Sequence, residues 1–276
     1  MVRLHGSVDT MAIDFDADGE DCTHAGFSLG DPQTILVWFN PNSIDASDRQ
    51  LTGQSLTAGE SRTICGDTTG TGIIRMIMSF SGTNPHARSA TGTITAGAWH
   101  YVAFRLDSSG AQDVQLFHGD LDTEVTEVSY GVTQESTGTI LSTDSDFRAG
   151  NAAAQNNSAN AVVAFMAIWP GTALTLAQIQ AQQYFLGVPI VPGCELFTHY
   201  GIESATGTQP DWSGNGNNGT ITGTPTLVDH VPIPIFLGDS DFQQEAAAAA
   251  GMLEDFHKRV PHYAGGMQNL TGGMRG

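Results

Sequence analysis

The chain has 276 residues, of which 40% are hydrophobic and only 14% charged, with 29 acids against 10 bases and a formal net charge of −19. One large domain can bury a core at this composition, and most of the surface is left to neutral polar side chains. Lys258 is the only lysine and no basic run occurs along the sequence, so a nucleic-acid groove and docking on anionic lipid are excluded as expectations: little is available to displace phosphate counterions.

Met1 to Ser7 carries no apolar stretch of the kind a secretory leader needs, and the longest apolar run, Ala161 to Trp169, is far short of the ~18 residues of a membrane-spanning helix. Period-2 patterning then dominates. Met11, Ile13 and Phe15 alternate with small or polar neighbours and predict a half-buried strand. Cys22, Cys65 and Cys194 are odd in number and widely spaced, which predicts three buried thiols and synthesis in a reducing cytosol. Ile35 to Phe39 is apolar on both faces, as a central strand requires. Ile74, Met76, Met78 and Phe80 share a face. Val102, Phe104 and Leu106 precede the turn Asp107-Ser108-Ser109-Gly110, and Val114, Leu116 and His118 follow it, which is hairpin chemistry. Ala161 to Trp169 predicts a second fully buried strand, closed by Pro170-Gly171. Thr175 and Gln178 form a capping-box pattern for a helix expected to run through Ile179 and Tyr184 to a stop at Gly187.

Near Val231 to Gly238 the composition changes. Ser240 and Gln243 open a second helical pattern, with Phe242, Ala246, Ala249, Leu253 and Phe256 spaced alternately by four and three. Pro261 ends it, and Ala264 to Gly276 is rich in glycine and methionine. Two units are therefore expected: a body over 1–238, and an arm over 239–276 that needs a partner to become ordered. The apolar stripe Phe242, Leu253 and Phe256, with Met267 and Met274 filling gaps, is its expected partner-binding surface. Lys258, Arg259 and Arg275 place the only lysine and two of the nine arginines in the arm, which suits an acidic neighbour.

Several strings of the body resemble laminin-G-like, concanavalin A-like jelly rolls. Ala12 to Asp21 is similar to their opening strand, Gln33 to Asn42 to the strand that follows, and Thr95-Ala-Gly-Ala-Trp-His-Tyr-Val-Ala103 to a Trp-His strand start. Phe147 to Asn151, Ala161 to Gln178 and above all Asp211-Trp-Ser-Gly-Asn-Gly-Asn-Asn-Gly-Thr220 continue the likeness. It covers residues 8 to 232 and implies an all-β, antiparallel concanavalin A-like (LamG-like) β-sandwich jelly roll with a short C-terminal helical and extended arm. The order of segments, without an attached enzyme, also resembles that of bacteriophage structural proteins.

The chemistry-bearing motifs are sparse. Asp14, Asp16 and Asp18 with Gly19 match the start of an EF-hand-like calcium loop, but the closing position is Ala25 and a strand precedes it, so a hairpin with Asx turns competes. No other cofactor is implied. Trp212, in a Gly/Asn loop, is the one tryptophan placed to stack on a sugar, against the reading that it anchors its loop. Asp120, Asp122, Glu124 and Glu127 form the densest acidic run. The resemblance would place hydrolysis on a Glu-x-Asp-x-x-Glu strand, which does not occur in the sequence, so the acids are expected to guard a strand edge. The expected function is a non-enzymatic bacteriophage virion structural protein, a capsid or tail decoration subunit gripping the particle through its arm. Its partners would be other virion proteins and copies of itself, with synthesis in the host cytoplasm. A glycan-binding adhesion module is the alternative, and a glycoside hydrolase a weaker one.

Overall fold

The computed structural model describes residues 11–235 apart from 25, 27, 46, 57–58, 67–70, 142–145, 152–156, 203 and 234. The expected partner-binding residues Phe242, Leu253, Phe256, Met267 and Met274 therefore lie outside the described residues. In chain order the strands are β1 (Met11–Phe15), β2 (Asp21–His24), β3 (Gln33–Pro41), β4 (Gln50–Leu56), β5 (Gly59–Ile64), β6 (Arg75–Ile77), β7 (His86–Ser89), β8 (His100–Leu106), β9 (Val114–Asp120), β10 (Thr126–Glu127), β11 (Tyr130–Gln134), β12 (Phe147–Ala149) and β13 (Ala161–Pro170). Then come α1 (Leu176–Gln183), β14 (Leu196–His199), β15 (Thr208–Gln209), β16 (Gly219–Thr222) and β17 (Thr226–Asp229).

The strands form two antiparallel sheets. The first has the order β10-β9-β8-β3-β13-β1-β17, with β14 also on β13; the second runs β11-β7-β6-β5-β4-β12-β2-β16-β15. Crossovers between the sheets make this a jelly-roll sandwich. β3 and β13 pair along nearly their whole length at the centre of the first sheet, as their continuous apolar runs predict. The pairing slips between Val163 and Phe165. There β13 exchanges one neighbour for another, holding β1 at Ala161 to Val163 and β14 at Phe165 to Ile168.

Two cores result. Between the sheets lie Ile13, Phe15, Ile35, Val37, Phe39, Val102, Phe104, Met76, Met78 and Phe147. On the far side of the first sheet Leu36, Trp38, Tyr101, Phe165, Trp169 and Phe197 are covered by Leu174, Ile179, Leu186, Val231 and Ile233. The first sheet is thus buried on both faces, which explains why its central strands do not alternate.

The helix starts as expected: Gln178 N–H donates to Thr175 Oγ1 at 3.3 Å, and Thr175 N–H donates to Gln178 Oε1 at 2.8 Å. It ends earlier than the sequence suggests, at Gln183 with Tyr184 as C-cap. Two glutamines explain the stop. Gln182 Oε1 accepts from Ile190 N–H at 3.0 Å, and Gln183 donates through Nε2 to the carbonyls of Asp120 and Thr123 at 2.8 and 2.9 Å. The first contact folds the following chain back onto the helix end, and the second ties that end to the turn after β9. Cys22, Cys65 and Cys194 are free and buried. Among the described residues no helix is long and apolar enough to cross a membrane.

Candidate functional site

The loop after β15 carries the most recognisable string of the chain, and its side chains are engaged internally. Asp211 Oδ1 accepts from the amides of Phe197 and Ser213 at 3.0 and 2.9 Å, while Oδ2 accepts from Asn217 N–H at 2.9 Å and Ser213 Oγ at 2.8 Å. Asn215 donates to the carbonyl of Cys194, and Asn217 to that of Glu195, each at 2.8 Å. The carbonyl of Asn217 is 2.8 Å from His24 Nδ1, so the ring donates there and presents Nε2 to the hydroxyl of Tyr200 at 3.0 Å. Burial holds His24 neutral, pushing its pKa down to about 4. Gly219 cannot be replaced without rearrangement, because a Cβ there would stand 2.2 Å from Cys22 Sγ and 2.7 Å from the His24 ring. Trp212 is half-buried against the outer core, and its amide donates to Phe197 O at 2.7 Å. Its environment is that of a loop anchor.

The acidic turn between β1 and β2 is organised in a similar way. Asp14 accepts from Asn42 Nδ2 at 2.7 Å, and Asp18 from Ser158 N–H at 3.2 Å. Glu20, which sequence reasoning did not single out, accepts from the amides of Asp16 and Ala17 at 3.1 and 3.2 Å. Burial raises the pKa of both Asp14 and Glu20, and the Asp16 carboxylate pushes each the same way. Among the described residues no three Asp, Glu, His or Cys side chains are grouped to hold a metal ion.

The remaining acids shape the edge of the first sheet. Asp120 Oδ1 accepts from the amides of Asp122 and Thr123 at 2.8 and 2.7 Å, an Asx turn, and Glu127 on edge strand β10 accepts from the Tyr130 hydroxyl at 2.6 Å. Beside this edge is an open groove of about 250 Å³, lined by Thr91, Thr93, His118, Thr126, Val128 and Ser129 with the backbone of Gly92. None of the lining residues is a carboxylate. Behind it, His118 Nε2 is 2.9 Å from His100 Nδ1, and His100 Nε2 is 3.0 Å from both the amide and the carbonyl of Thr95. Desolvation and the neighbouring imidazole push the His118 pKa down to about 4, and burial lowers that of His100. At neutral pH the groove therefore offers hydroxyls and an uncharged imidazole. Its residues lie in three separate stretches of chain, with no motif that sequence reasoning could have used.

A family model described as "Concanavalin A-like lectin/glucanases superfamily" matches residues 16–180. The chain belongs to this superfamily. Among solved structures, this laminin-G-type chain is similar to one titled a "putative carbohydrate binding protein" from Bacteroides ovatus, with a TM-score of 0.55 and 15% identity, covering 84% of this chain. The present chain spans 63% of that protein's length. Domains LG4-5 of the mouse laminin alpha1 chain align with a TM-score of 0.44 and 11% identity, over 64% of this chain and 46% of that one. No curated protein matches the chain.

Proposed function

We propose that the sandwich is a saccharide-recognition module that holds its ligand without turning it over. The observation that carries this reading is the groove beside β10. Thr91, Thr93, Thr126 and Ser129 give it hydroxyls, His118 an imidazole neutral at physiological pH, and no lining carboxylate is available as an acid or a nucleophile. Glycoside hydrolysis by two carboxylates needs a facing pair about 5–10 Å apart, and the acids nearest the groove are engaged in turn and edge contacts. The carbohydrate-binding description of the Bacteroides protein supports the same ligand class. The test is a glycan array followed by calorimetry on the full chain. Binding of a neutral oligosaccharide, weakened in Thr126→Val, is expected; hydrolysis abolished by changing one acidic residue would overturn the reading.

A second reading concerns where the module is displayed. The apolar stripe Phe242, Leu253 and Phe256, with Met267 and Met274, lies in a stretch that holds the only lysine and two of the nine arginines of a −19 chain, and this favours anchoring on an acidic neighbour. In this reading the chain is a bacteriophage virion structural protein, a capsid or tail decoration subunit, held to other virion proteins and to its own copies by residues 239–276. Truncation after Gly238 is expected to leave a folded body that no longer enters particles. Unchanged incorporation would rule the arm out as the anchor.

A further inference from the structure

Thr91, Thr93, Thr126 and Ser129 give the groove beside β10 hydroxyls, each able both to donate and to accept a hydrogen bond. His118 differs in kind. A neutral imidazole carries one N–H and one bare nitrogen, so at any moment it offers a ligand a single role, set by what its other nitrogen does. His118 Nε2 is 2.9 Å from His100 Nδ1, with ring centroids 5.1 Å apart. Among the described residues His118 Nδ1 has no hydrogen-bond partner, and it is the ring nitrogen left for a ligand.

His100 opens β8, is buried, and packs its ring against Phe39 at 5.9 Å. Its Nε2 lies 3.0 Å from both the amide nitrogen and the carbonyl oxygen of Thr95, so one backbone residue offers the same ring nitrogen a donor and an acceptor. Burial keeps both imidazoles neutral at pH 7; the Asp120 carboxylate pulls the other way, but its Oδ1 is tied to the amides of Asp122 and Thr123. Two proton arrangements then satisfy the pair. In the first, Thr95 N–H donates to a bare His100 Nε2, His100 Nδ1–H donates to His118 Nε2, and His118 Nδ1–H is a donor for the groove. In the second, His100 Nε2–H donates to the Thr95 carbonyl, His118 Nε2–H donates to His100 Nδ1, and His118 Nδ1 is a bare acceptor. Passing from the first to the second releases the His118 Nδ1 proton to solvent, moves one proton along the bond between the rings, and takes one from water at His100 Nε2.

We infer that His100 is a positioning residue which, through Thr95, lets His118 meet a bound saccharide either as donor or as acceptor. The groove then holds no polar side chain of fixed role, which matches a ligand whose hydroxyls themselves do both. A single fixed tautomer would instead leave a polar group unpaired whenever a hydroxyl approached in the wrong sense, and an unpaired group is costly once water is displaced. The inference rests on the saccharide reading for its ligand alone, because the two arrangements belong to the protein without one.

The experiment is nitrogen NMR of the full chain with labelled histidine, free of ligand at pH 7, where ring-nitrogen shifts separate protonated from bare positions. In the wild type both His118 nitrogens are expected at intermediate shifts, with the two tautomers populated within about tenfold of each other. Two variants should push the ratio in opposite directions. His100→Phe keeps a ring against Phe39 but removes the acceptor for His118 Nε2–H; because an orphaned N–H is worse tolerated than a bare nitrogen, His118 should carry its proton on Nδ1. Thr95→Pro removes the amide donor, leaves only the carbonyl, and should strip Nδ1 of its proton. Melting temperature shows which variants are folded, and either one suffices. A single His118 tautomer in the wild type would overturn the inference, as would a folded variant whose tautomer ratio equals that of the wild type. If both tautomers are seen and no glycan binds, the saccharide reading fails and the positioning role of His100 stands.

Discussion

The two sheets of the sandwich solve different problems with the same strand geometry. The first is buried on both faces, between the central core and a layer made by α1 and the segments around Leu174, Leu186 and Val231. Its central strands are accordingly apolar throughout, with all nine residues from Ala161 to Trp169 buried. The second packs its inner face on the central core, and Arg62, Arg75, Arg88 and Arg148 alternate with core-facing or buried neighbours. The contrast shows where charged side chains stand on this fold: on the outer side of the second sheet, besides the edges and loops. Helix and loops have closed the other.

Acid should act on the buried side of this contrast most strongly. His199, on β14 of the first sheet, lies against His230 with rings 5.7 Å apart, and His24, on β2, is fully buried. Burial lowers all three, His24 to about 4 and His199 to about 3, the latter helped by His230. A histidine whose folded pKa is depressed leaves stability intact above the unfolded value near 6.5 and removes it as pH falls toward the folded pKa. Melting temperature is therefore expected to fall steadily from pH 6.5 to pH 4, with a loss on the order of several kcal/mol. The raised Asp14 and Glu20 oppose this more weakly. A flat profile over that range would contradict the buried, neutral assignment.

Trp38→Ala, on the covered face of the first sheet, also removes the hydrogen bond from Nε1 to Gln183 O at 2.9 Å. It should cost about 4 kcal/mol in denaturant unfolding. Gly219→Ala sharpens the comparison from the second sheet's core side. The added Cβ overlaps Cys22 and His24, and a loss of about 3 kcal/mol, roughly 10 °C in Tm, is expected. Asp211→Ala deprives two backbone amides of the loop, and one of β14, of their acceptor, and is expected to cost about 2 kcal/mol. Smallest of all, chelation of calcium is expected to shift Tm by under ~2 °C, because the carboxylates of Asp14, Asp18 and Glu20 already have protein donors.

Much of this architecture is legible in one dimension. The alternation at Met11 to Phe15, the unbroken runs at Ile35 to Phe39 and Ala161 to Trp169, the turn at Asp107 to Gly110 and the capping box at Thr175 each state a local preference. Each became the predicted element, because burial on one or two faces writes itself directly into residue period. The glycine-rich string from Asp211 to Thr220 announced a tight loop for the same local reason. The end of α1 was not legible, since Gln182 and Gln183 act through partners up to 63 residues away. Nor was the groove, whose hydroxyls and His118 come from three stretches of chain joined only by the β9–β10 edge. The arginines show the difference most plainly. In sequence Arg62, Arg75, Arg88 and Arg148 are isolated charges in an acidic chain, and composition predicts no basic surface. Antiparallel pairing sets Arg75 against Arg88 and places Arg62 and Arg148 across one glycine. Sequence fixes on which side of its own strand a residue stands, but only register, a relation between distant strands, decides which residues stand together.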